Sequence, residues 1–183
     1  MRQTLSLTLF ICISLASHAQ GLRGLDKSPL DISYFPDQFA HDRKDGDKAL
    51  VKVVYSRPFR NGREVFGELV PYGKVWRTGA NENTEITFYQ DATIAGKKIR
   101  KGTYSLFTIP GESTWTIILN SNLDYWGSYS YNEKKDVLRV NANAEKLDQE
   151  VENFTIQFIG KDKKSALMVL AWGDVQVKVP MAF

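Results

Sequence analysis

The residues best equipped for chemistry crowd into the segment Gly67–Glu82, which carries Tyr72, Trp76, Lys74, Arg77, Asn81 and the carboxylates Glu68 and Glu82. A guanidinium is a planar, permanently charged, two-pronged donor that suits carboxylates and phosphates. An amide such as Asn81 reads hydroxyls, and Tyr72 or Trp76 can stack on a ring. Gly79, just ahead of Ala80-Asn81-Glu82, suits a tight turn presenting Asn81 and Glu82 at the mouth of the next strand. Arg57, before Pro58, is expected to project to the same end of the fold. Arg57, Tyr72, Trp76, Arg77, Asn81 and Glu82 are therefore the expected ligand-binding residues. The expected ligand is small and polar or anionic, a glycan fragment being one example. The same groups have structural uses: Arg77 with Glu82 as an ion pair closing the loop, Tyr72 and Trp76 as plugs in a core.

Two other readings stay open. Glycoside hydrolysis uses two carboxyl groups roughly 5–10 Å apart, and Glu82 with Glu85, Asp124 or Asp136 is the enzymatic alternative. The third is an envelope scaffold or docking domain that uses sheet edges or an aromatic patch. Tyr125–Tyr131 supplies such a patch: as a strand it would set Tyr125, Gly127, Tyr129 and Tyr131 on one face. That face suits sugar rings, or it packs on a half-wet sheet.

Several chemistries lack their residues. The chain has one cysteine, Cys12, and two histidines, His18 and His41. Loss of residues 1–20 would leave His41 alone, too little for a His/Cys zinc site. No acidic cation loop is present, so neither a metal nor a cofactor is expected. Gly62 to Gly67 has phosphate-loop spacing, but Glu68-Leu69 stands where Lys-Ser/Thr is required. Net charge is only +3, and the lysine clusters at 97–101 and 161–164 fall at turns or strand edges. A dedicated nucleic-acid surface would gather its cations on one face.

The elements that must position these groups read as β. Apolar residues are 43% and aromatics 12% of the chain. Strand-like runs recur at 49–56, 85–90, 98–101, 103–109, 114–120, 138–140, 154–158, 167–172 and 175–179. Connections are too short for crossovers, so the pairing is expected to be antiparallel. An all-β sandwich of about nine strands is expected, with a small antiparallel barrel as the alternative. Short helical turns are expected at 65–72 and 145–151. Phe88, Trp115, Phe154, Phe158 and Trp172 are the expected core, and Thr155, on the face opposite Phe154, is expected to tolerate replacement. Residues 1–20 have the charged start, short apolar run and small-residue cleavage pattern of an export signal. The run is too short to span a bilayer. Residues 21–48 read as irregular, with an apolar patch at Ile32–Phe35 lying on the domain, and 49–183 as one domain. A cysteine-free exported chain, periplasmic or extracellular and of undetermined oligomeric state, is expected.

A resemblance supports part of this picture. Val54-Tyr55-Ser56-Arg57-Pro58, the run from Phe66 to Glu82, and Gly102 to Gly111 resemble the domain-of-unknown-function 2911 family. Trp115-Thr116-Ile117-Ile118, Tyr125-Trp126-Gly127 and Asp136-Val137-Leu138-Arg139-Val140 extend the match, over roughly residues 28–180. The resemblance implies secreted or periplasmic bacterial proteins. It carries no activity and no catalytic residue.

Overall fold

A computed structural model of the chain describes Leu22 and residues 24–183; the expected export signal lies outside them. Nine strands are present: β1 (Leu30–Phe35), β2 (Val51–Ser56), β3 (Thr84–Phe88), β4 (Ala92–Ile94), β5 (Lys97–Ile99), β6 (Gly102–Ile109), β7 (Thr114–Asn120), β8 (Asp136–Gly160) and β9 (Ser165–Ala182). They form one sheet in the order β1-β2-β3-β6-β7-β8-β9-β4-β5, and every strand pairing is antiparallel. The fold is all-β and sandwich-like, and the sheet does not close into the alternative barrel.

The sandwich arises because β8 serves two layers. Its first part pairs with β7, from Asp136 to Asn143. From Ala144 to Gly160 it pairs with β9 instead, with register shifts on either side of Val151. Such irregularities bend and twist a strand. The bend carries the second layer over the first. Only an isolated bridge, Phe59 to Asn153, joins the outgoing end of β2 to β8. Elsewhere along that seam side chains supply the contacts: the hydroxyls of Ser33 and Tyr55 donate to the carbonyl of Ile156 at 2.6 and 3.1 Å.

Alternation fills the space between the layers. Val51, Val53 and Tyr55 of β2 face Phe154, Ile156 and Phe158 of β8, and all are buried. Phe88, Trp115 and Trp172 join them, as their apolar periodicity requires. The side chains on the far side of β6 and β7 are covered too. Phe107 is fully buried because Tyr125 and Tyr131 pack on it, with ring centroids 6.2 and 5.1 Å away.

Four expectations are corrected. The segment 21–48 is not wholly irregular: β1 pairs with β2 along its length, and a single helical turn, Phe39–Asp42, follows. The runs at 138–140 and 154–158 belong to one strand, as do those at 167–172 and 175–179. The helical turn expected at 145–151 lies inside β8, and β4 has no counterpart among the expected runs. Residues 125–131 form a loop, with Tyr125 and Tyr131 on the sheet and Trp126 and Tyr129 exposed. No described helix is long and apolar enough to cross a membrane.

Candidate functional site

One end of the sandwich is closed by the connection between β2 and β3. This long loop is anchored by its own apolar residues. Val65, Phe66, Val70 and Trp76 are buried in the main core. Phe66 sits among Trp76, Trp115 and Trp172, with ring centroids 4.7–6.4 Å apart. Trp76 also pairs through its backbone with Thr108 of β6, at 2.7 and 2.9 Å, and its indole donates to the carbonyl of Gly79 at 3.0 Å. The return into β3 is equally fixed. The Thr84 hydroxyl donates to the Thr78 carbonyl at 2.6 Å, and a Cβ on Gly79 would stand 3.1 Å from the carbonyl oxygen of Ser56. Gly79 is required there by close approach rather than by a turn alone. Arg77 is thus held between two anchored neighbours, Trp76 and Thr78.

Beside Arg77 lies a cavity of about 520 Å³, within the ~300–1,000 Å³ range of small-molecule sites. Its walls come from the chain ahead of β1 (Lys27, Ser28), the turn after β2 (Pro58, Phe59, Asn61, Arg63) and the loop from Leu69 to Ala80. Ser128 of the aromatic loop and Trp172 of β9 complete it. Four lining residues are cationic, Lys27, Arg63, Lys74 and Arg77, and none is acidic. Among the described residues none of the four is in an ion pair. Arg63 is partly committed, since its guanidinium donates to the carbonyls of Phe59 and Arg60. Arg77 is different. Its Nε is buried and has no hydrogen-bond partner. A buried donor left unpaired costs about 1–3 kcal/mol, and native structures rarely leave one without a partner or a purpose. The indole nitrogen of Trp115 is also unpaired, but it sits in the core and lines no described cavity.

The loop carrying Ser128 holds this arrangement from the other side. The Ser128 hydroxyl donates to the Val75 carbonyl at 3.1 Å, and the Gly127 amide donates to the Asn81 carbonyl at 2.8 Å. Gly127 has φ +66°, and a Cβ there would meet the Tyr129 ring at 3.0 Å and Nη1 of Arg77 at 3.4 Å. The missing side chain leaves room for the guanidinium.

Of the six expected ligand-binding residues, only Trp76 and Arg77 line the cavity. Trp76 does so as a buried core residue. Arg57 is fully engaged elsewhere: it donates to the Phe154 carbonyl, to Asp31 and to the Thr155 hydroxyl, at 2.9–3.1 Å. Tyr72 is partly exposed, and burial holds its hydroxyl above its usual pKa, with Glu112, Asp174 and Glu64 adding to the effect. Asn81 turns its amide to Asp26, at 2.9 Å. That contact and, more strongly, the backbone amide of Ser28 hold the Asp26 carboxyl below its usual range. Glu82 is exposed and makes no ion pair with Arg77, so the loop is not closed by that pair. The residues that sequence reasoning missed are Lys27, Arg63 and Lys74. Lys74 lies within the segment first singled out. Lys27 carries no local signal, because only the pairing of β1 with β2 brings it there.

These observations define an antiparallel β-sandwich with a cation-lined cavity at one end. The chain belongs to the family described as Protein of unknown function (DUF2911), which matches residues 36–181. No curated protein and no solved structure matches it.

Proposed function

We propose that this protein is an exported binding protein for a small anionic ligand, held in the cavity beside Arg77. The observation that carries the reading is the charge of the lining: four cations, no carboxylate, and one buried guanidinium nitrogen without a partner. An anion entering such a cavity is attracted by every positive charge on its walls and meets no lining carboxylate. Charge-assisted hydrogen bonds to a guanidinium are also shorter and stronger than neutral ones. An acidic glycan fragment belongs to this ligand class; a neutral sugar would leave the cations unanswered. The export-signal pattern of residues 1–20 supports a periplasmic or extracellular setting.

The test is isothermal titration of the protein with inorganic phosphate, sulfate, citrate and an acidic monosaccharide at low ionic strength. At least one should bind, more weakly as salt is raised. Arg77→Gln should weaken it about ten- to a hundredfold, the loss of one charge-assisted hydrogen bond. Lys74→Gln, at an exposed position, should weaken it by less and leave the melting temperature unchanged. Absence of binding by every anion, or unchanged binding in both variants, contradicts the proposal.

A further inference from the structure

Charge is only half of the cavity's character. Pro58, Phe59, Leu69 and Pro71 line it together with the cations. Phe59 and Leu69 remain 39% and 40% exposed although their neighbours Val65, Phe66 and Val70 are driven into the core. The loop therefore had apolar side chains to bury and left these two facing the cavity. Trp76 and Trp172, buried in the core, add apolar surface to the same lining. A site for a bare inorganic ion has no use for such walls, since a fully hydrated anion gains nothing from apolar surface. An apolar group seated there gains free energy in proportion to the area removed from water.

We infer that the ligand is amphiphilic: a compact aromatic or short aliphatic body carrying a carboxylate or phosphate head. The head sits among Arg77, Lys74 and Lys27, and the body lies against Phe59 and Leu69. This inference rests on the anion-binding reading above and narrows its ligand class. Neither of two further cavities among the described residues combines these features. One is lined by Asp91 together with Lys98 and Arg100, and in another Lys97 is already bound to the Arg139 carbonyl.

The experiment titrates the protein with two matched pairs, inorganic phosphate against phenyl phosphate and acetate against phenylacetate. The aryl member of at least one pair should bind about tenfold more tightly or better, the gain expected from burying much of a ring. The pair with the larger ratio identifies the head. Phe59→Ala and Leu69→Ser should each shrink that ratio several-fold. Leu69 lies on an exposed part of the loop, so its variant reads the contact even if the Phe59 variant folds poorly. Equal affinities within both pairs, or a ratio that survives in both variants, overturn the amphiphile inference and leave anion binding standing. Binding by none of the four overturns the amphiphile inference; if sulfate, citrate and the acidic monosaccharide also fail to bind, anion binding falls with it.

Discussion

Arg57 and Arg77 carry the same guanidinium, and the fold spends them in opposite ways. Arg57 bonds with three nitrogens to groups on β8 and β1, whereas Arg77 keeps a buried nitrogen unpaired beside a cavity. Sequence alone cannot separate the two uses, because the partners of Arg57 lie 97 and 98 residues away on β8. The contact also changes the expectation for Thr155. On the solvent face of an alternating strand its loss would cost little, but its hydroxyl accepts from Nη2 of Arg57 at 2.9 Å. Thr155→Ala should therefore destabilise the protein by about 0.5–1.5 kcal/mol, the net worth of one hydrogen bond, read as a lower urea midpoint at unchanged slope. A midpoint equal to that of the unmutated protein would mean that the contact contributes nothing. Arg77 was legible as a chemical group from its neighbours in the loop. Lys27, which lines the same cavity, was not, since it is brought there by the pairing of β1 with β2.

At the scale of elements, β8 decides the architecture. The clean alternation at 138–140 and 154–158 made both ends of this strand readable. The charged residues between them, Glu145 to Glu152, hid the fact that the chain stays extended throughout. Long bent strands have no turn residues to announce them, and a bulge has no fixed signature outside glycine. β1 was hidden for a different reason: Pro29 and Pro36 bracket it, and prolines read as breaks unless the strand lies at an edge, as this one does. Phe154 is where the bent strand meets everything else. It is fully buried against Tyr55, Trp76 and Trp172, with ring centroids 4.9–6.1 Å away. Phe154→Ala should cost about 3–5 kcal/mol by transfer and cavity terms together, measured by chemical denaturation. A loss below about 1 kcal/mol would show that the two layers do not depend on this contact.

For the whole molecule, the nearly balanced charge of +3 conceals a local imbalance. Carboxylates answer Arg57, Arg60, Arg139, Lys146 and Lys178 around the surface, while the lining of the end cavity gathers four cations and no carboxylate. The sandwich supplies the rigid frame, and the β2–β3 loop, pinned by Phe66 and Trp76, supplies the walls. The most direct test of that account is the proton–nitrogen resonance of Arg77 Nε, followed by NMR as phosphate or phenyl phosphate is added at low salt. The account predicts a saturable shift of this signal, together with the amides of Gly79, Ala80 and Ser128. An Arg77 signal that stays fixed while the titration saturates elsewhere on the protein, or while nothing moves at all, would contradict it.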